Sequence, residues 1–132
     1  MRRNILYLFA AALFFFTTSC VEEKLAFTVV ESPVLGLISE TSAAEGMVAF
    51  TGTFYELDKS GILDQNIGID SIPVAGLELR VESQNRALLQ TIVTAADGTT
   101  LFEMPATELE GVTRLEWTGT YDGQIFRILK NL

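Results

Sequence analysis

Leu77-Glu78-Leu79-Arg80-Val81-Glu82 places an apolar side chain at every second position and a charged one between each pair. A period of two sends alternate side chains to opposite faces of an extended strand, so one face belongs in a core and the other in water. Coiled into a helix, the same residues would spread charge around the whole circumference. Upstream, Val48, Phe50, Gly52 and Phe54 keep the same parity through Met47 to Leu57, with Thr51 and Thr53 opposite. Downstream, Leu115, Trp117, Gly119 and Tyr121 alternate with Arg114, Glu116, Thr118 and Thr120.

Shorter runs fill the intervals. Leu25, Phe27 and Val29 alternate with Ala26 and Thr28, and Pro33 holds the run Val34 to Ile38 to an edge strand or bend. Leu88 to Thr94, Thr100 to Met104 and Gln124 to Lys130 read as further strands. Asp97-Gly98 and Asp122-Gly123 are turn dipeptides that favour positive φ, and each predicts a hairpin between the strands it joins. Ser39 to Gly46 and Asp58 to Ser71 read as loops. No stretch sustains a helical period, so the fold class is all-β, a single antiparallel β-sandwich of about seven strands.

The beginning of the chain follows a different rule. Arg2 and Arg3 precede the apolar run Ile5 to Phe16, which gives way to Thr17-Thr18-Ser19 and then Cys20, the one cysteine in 132 residues. Positive charge, apolar stretch and small residues in that order predict a helical secretion signal over 1–19, cut between Ser19 and Cys20. The run is shorter than the roughly 20 apolar residues that span a bilayer. Val21-Glu22-Glu23-Lys24 is too short and charged to pack, so 20–24 reads as a tether and 25–132 as the folded domain. A lone cysteine excludes a disulfide within the chain. The formal net charge is −8, and removal of Arg2 and Arg3 makes it more acidic still, which disfavours nucleic acid and anionic lipid head groups.

Thr17-Thr18-Ser19-Cys20 resembles the lipobox of bacterial lipoproteins, with Thr17 where that motif usually carries leucine. The resemblance implies a fatty-acylated Cys20 and a chain anchored in the cell envelope, at the surface or periplasmic face of the outer membrane. Glu22 and Glu23 behind the cysteine also resemble an export tag that carries lipoproteins to the cell surface. Further along, Gly52-Thr53-Phe54-Tyr55, then Ile72-Pro73-Val74-Ala75-Gly76, then Thr94-Ala95-Ala96-Asp97-Gly98 and Phe102 resemble the carboxypeptidase regulatory-like domain. Thr100 replaces that family's first aromatic residue, and the loop Asp58 to Ser71 is longer than the family pattern. This resemblance implies a transthyretin-type sandwich that serves as a structural or binding module and brings no catalytic residues of its own. An immunoglobulin-like sandwich of different strand order satisfies the same periodicity.

No histidine occurs anywhere, so Ser-His-Asp, Cys-His and histidine-zinc chemistry are excluded. Carboxylates alone meet no active-site pattern, and the expectation is a non-enzyme without cofactor. Asp58, Asp64, Asn66 and Asp70 crowd oxygen ligands into one loop and make a weak Ca²⁺ candidate, although their spacing is not that of an EF-hand. The plainer reading is a solvated loop that meets a partner. Trp117 and Tyr121 share one strand face: turned outward they would form a stacking platform for sugar rings, whereas their parity with Leu115 and Gly119 predicts Trp117 in the core. Ile125 and Leu129 leave the last strand apolar on both faces, as in a central strand or one whose outer face meets a partner. Together these readings predict a lipid-anchored, non-enzymatic envelope module touching an unidentified envelope protein or glycan. The alternatives are a carbohydrate-binding accessory module and a Ca²⁺-dependent adhesion or assembly subunit.

Overall fold

Strand periodicity sets the architecture seen in the computed structural model, which describes residues 31–132. The signal segment, the Cys20 tether and the run Leu25 to Val29 lie outside the described residues. The strands are β1 (Leu35–Thr41), β2 (Met47–Asp58), β3 (Asp70–Pro73), β4 (Glu78–Ser83), β5 (Leu88–Val93), β6 (Thr99–Pro105), β7 (Arg114–Tyr121) and β8 (Gln124–Asn131), with one 3₁₀ turn at Ala106–Leu109. They form two four-stranded antiparallel sheets. In the first, β1 flanks one side of β2 while β6 and β3 share the other; the second runs β5-β4-β7-β8.

The core lies where the inward faces of the two sheets meet. Phe50, Phe54, Phe102 and Met104 come from the first sheet, and Leu79, Val81, Ile92, Leu115, Trp117 and Phe126 from the second. Trp117 lies at its centre, 6.0 Å from the Phe102 ring edge-on and 6.2 Å from the Phe54 ring, spacings at which aromatic quadrupoles attract. Gly52 belongs to the same inward face because nothing larger fits. A Cβ there would stand 2.8 Å from the Phe54 ring and 3.1 Å from Trp117.

At Phe54 the long strand β2 changes neighbours. Its pairing with β6 runs from Met47 to Thr53, and its pairing with β3 begins at Tyr55. Between them the Phe54 N–H donates to the Gly98 carbonyl at 2.9 Å, and the Phe54 carbonyl accepts from the Val74 N–H at 3.0 Å. Thr94 clamps the adjoining turn: its Oγ1 accepts from the Leu77 N–H at 2.9 Å and donates to the Val74 carbonyl at 2.6 Å. The residues Pro73 to Gly76, Thr94, Asp97 and Gly98, which stood out in the sequence, are thus parts of one backbone junction.

That junction overturns the first expected hairpin. Asp97-Gly98 does close a local turn, with Ala95 and Thr99 bonded through their backbones. Beyond it, however, β5 pairs with β4 and β6 pairs with β2 in the other sheet. The link is a crossover between layers, because Thr94 is held by the turn at Val74 to Leu77 while Gly98 is held by Phe54. Asp122-Gly123 behaves as read: both residues have positive φ, Tyr121 faces Gln124, and β7 and β8 form a hairpin. Two loops are shorter than expected, since β1 continues to Thr41 and β3 begins at Asp70. Among the described residues β8 is an edge strand and not a central one.

The junction makes a graded prediction. Gly98 has φ +74° and a Cβ there would meet the Phe54 carbonyl oxygen at 2.5 Å, whereas Gly46 has φ +78° with open space around it. Gly98→Ala should cost about 2–4 kcal/mol in urea unfolding and Gly46→Ala only about 1 kcal/mol. Equal losses at the two sites would refute the junction.

Candidate interaction surfaces

Trp117 is completely enclosed, so it offers no face to a sugar ring, and the structure corrects the stacking platform expected of Trp117 with Tyr121. Its place at the centre of the inward face of β7, against Phe54 and Phe102, is the reason. Tyr121 ends the same strand where the sandwich opens to solvent and is half-buried. Its hydroxyl donates to Glu56 Oε2 at 2.5 Å, joining the two sheets at that end. The bond favours the protonated phenol and, with burial and the charges of Glu56 and Asp122, raises the Tyr121 pKa above its ordinary 10.0. Beside this pair lies a cleft of about 270 Å³ lined by Glu31, Glu56, Lys59, Asp122 and Gln124 among others, with Lys59 ion-paired to Glu31.

The loop between β2 and β3 spends its carboxylates on its own backbone. Asp58 Oδ1 accepts from the Ser60 N–H, Asp64 Oδ1 from the Asn66 N–H and Asp70 Oδ1 from the Ser71 N–H, each at 2.9 Å. The Ser60 N–H, then its hydroxyl, hold the Asp58 carboxyl below its ordinary value. Register brings Asp58 opposite Asp70 at the neck of the loop. Asp64 and Asn66 turn within the loop itself, and no cluster of three or more acidic, histidine or cysteine side chains placed to hold a metal occurs among the described residues. Beside exposed Ser60, Asp64, Gln65 and Asn66 the loop also turns four aliphatic side chains outward, Ile62, Leu63, Ile67 and Ile69, with Leu63 97% exposed.

A third surface was not singled out in the sequence. On the outer face of the second sheet, Glu82 of β4 stands directly opposite Glu116 of β7. Like charges facing across a ladder repel, and here arginines intervene. Arg80 reaches Glu82 at 3.1 Å, and Glu116 holds Arg114 at 2.7 Å and Arg127 at 3.4 Å. The Glu116 side chain keeps only 4% of its surface exposed while both arginines remain partly in water. Ile125 and Leu129 of β8 and Leu88 and Val93 of β5 border this charged centre, all exposed. Arg114 and Glu116 share parity in the sequence, but Arg127 joins them only through the register of the β7–β8 hairpin.

These surfaces can bind by contact and charge; Ser19 and Cys20 lie outside the described residues. No protein-family model, curated protein or solved structure matches this chain.

Two measurements probe the polar groups. The Tyr121–Glu56 contribution is whole below the pH at which an unfolded tyrosine ionises, 10.0, and is lost as pH rises through the higher folded value. Thermal melts on either side of pH 10.0 should show a smaller alkaline loss in Tyr121→Phe than in the wild-type chain; an unchanged alkaline slope in the variant would argue against the bond. Glu116→Ala leaves Arg114 and Arg127 unpaired and should cost about 1–3 kcal/mol in the same unfolding assay, while a cost near zero would show that water serves the arginines equally well.

Proposed function

We propose that this chain is a lipid-anchored, non-enzymatic β-sandwich module of the bacterial cell envelope, held at the outer membrane through an acyl group on Cys20 and acting by contact with an envelope protein or glycan. The observation that carries the reading is the position of the single cysteine, directly behind Ser19 at the end of a positively led apolar run. A thiol exposed in an oxidising compartment invites stray disulfides, and acylation removes it.

The side chains support the non-enzymatic part. Histidine is absent, and hydrogen bonds hold two carboxyls among the described residues below their ordinary range, Asp58 by the Ser60 donors and Asp97 by the Thr99 hydroxyl and then its N–H. A general acid working near neutral pH needs the opposite shift. The Tyr121 phenol is likewise held protonated by Glu56, which opposes use as a nucleophile. The glycan alternative drew on Trp117, whose enclosure leaves it without a supporting residue, and the calcium alternative drew on carboxylates already bonded to their own turns.

Metabolic labelling with an alkyne-bearing fatty acid tests the anchor. Wild-type chain should take up label and sediment with membranes; Cys20→Ala should lose the label and move to the soluble fraction. Native mass spectrometry that finds the thiol free, or residues 1–19 still attached, would overturn the assignment.

A further inference from the structure

Leu63 is the most exposed large apolar side chain among the described residues, and it does not stand alone. Ile62, Ile67 and Ile69 of the same loop are 56%, 69% and 48% exposed, and no other connection among the described residues gathers four such side chains. The backbone holds them in place. The Ile62 N–H donates to the Lys59 carbonyl at 3.0 Å, the Asp64 N–H to the Gly61 carbonyl at 2.9 Å and the Gly68 N–H to the Asp64 carbonyl at 2.9 Å. Gly61 lies so close to Ile67 that a Cβ there would collide with the Ile67 side chain. Aliphatic groups presented on an ordered backbone give up little conformational freedom when they are covered.

The place of the loop in the chain selects what covers it. Lys59, at its foot, is ion-paired with Glu31, and both line the cleft at that end of the sandwich. The chain therefore enters the described domain beside this loop. Glu31 follows Cys20 by eleven residues, a span of at most about 40 Å when fully extended. The turn at Glu110 and Gly111 lies at the opposite end, where β7 begins; β7 ends at Tyr121, which is bonded to Glu56 near the loop.

We propose that this loop docks on the lipid surface to which the domain is fastened, with Leu63 and the isoleucines entering the boundary between head groups and acyl chains. The inference rests on the reading that Cys20 carries the anchor. Exposed Asp64, Gln65 and Asn66 share the loop, and an interfacial contact accommodates them, because polar groups stay among the head groups while apolar area sinks several ångströms deeper. Charge decides the head group. A chain of formal charge −8 is repelled by anionic lipid, and Lys59 is already paired, so the surface that accepts the loop is a zwitterionic one such as phosphatidylethanolamine or phosphatidylcholine. The tether supplies proximity, so four aliphatic side chains suffice where they would not hold a free domain on a bilayer.

The test places the acylated chain in vesicles of phosphatidylethanolamine and phosphatidylcholine. With Cys20 acylated, Leu63→Cys supplies the one free thiol for an environment-sensitive NBD dye. Flotation with the vesicles reads the anchor, and blue-shifted NBD emission quenched by brominated acyl chains reads the loop. Both are expected of Leu63→Cys, whereas Glu110→Cys, at the opposite end, should float with its dye unquenched. Adding Ile62→Asp to Leu63→Cys should remove most of the quenching while the fluorescence of buried Trp117 stays unchanged. A floating chain with an unquenched dye at position 63, or equal quenching at position 110, would overturn the docking and leave the anchor standing. So would a dye shielded in native envelopes but not on vesicles of lipid alone, which would identify a protein partner. A chain that fails to float overturns the anchor and the docking together.

Discussion

The peptide groups on either side of Phe54 are the constraint from which most of the structure follows. At this one position β2 has lost β6 as a partner and has not yet gained β3, so its N–H and C=O would be left buried and unbonded. Gly98 and Val74 satisfy them, and neither belongs to a strand paired with β2 there. Satisfying the two groups fixes where the chain crosses from one layer to the other and where the turn before β4 must lie. The Phe54 side chain meanwhile packs on Trp117 and Phe126 at 6.2 and 6.4 Å. Local backbone demand, chain topology and core packing are thereby tied to a single residue.

Much of this was legible in the sequence and some was not, and the difference has a physical origin. Strand position and inward face are local properties: the parity of Leu77 to Glu82, of Val48 to Phe54 and of Leu115 to Tyr121 marks the core, Trp117 included. Partner choice is not local. Asp97-Gly98 and Asp122-Gly123 both close turns, with positive φ at Gly98 alone in the first and at both residues in the second, yet the first joins two sheets and the second joins neighbours in one sheet, because Thr94 and Gly98, between β5 and β6, are bonded to Val74, Leu77 and Phe54 from far back along the chain. β3 escaped notice for a related reason. All four of its residues are exposed, so burial imposes no alternation on them, and only their pairing with the end of β2 makes them a strand. Among the candidate residues, parity was enough to place Trp117, whereas the Glu116 cluster and the Tyr121–Glu56 bond depend on register and on sheet-to-sheet distance.

The Glu116 cluster also shows how the acidic excess is accommodated. Facing Glu82 and Glu116 across one ladder is unfavourable alone, and a nearly enclosed carboxylate is costly unless charges of opposite sign stay close. Three arginines, drawn from β4, β7 and β8, supply them from one outer face. Arg127 is the informative member. It lies on the edge strand and holds it by charge to β7, in addition to the ladder between them. Lys130 serves the same strand differently, turning inward to sit 5.9 Å above the Phe50 ring, where a charge also discourages another strand from adding to the edge.

Nothing in this arrangement draws on a cysteine. The sandwich closes its core with Phe50, Phe54, Phe102, Trp117 and Phe126 and ties its layers with backbone hydrogen bonds, so chain entropy is overcome by packing and not by a covalent staple. The fold and the fastening proposed for Cys20 are therefore chemically independent. Acylation would govern where the domain is held and at what local concentration, while leaving its stability unchanged. Confinement to a surface raises the effective concentration of one copy near another. The domain's own surfaces would then need only modest affinity for whatever shares the membrane surface with it.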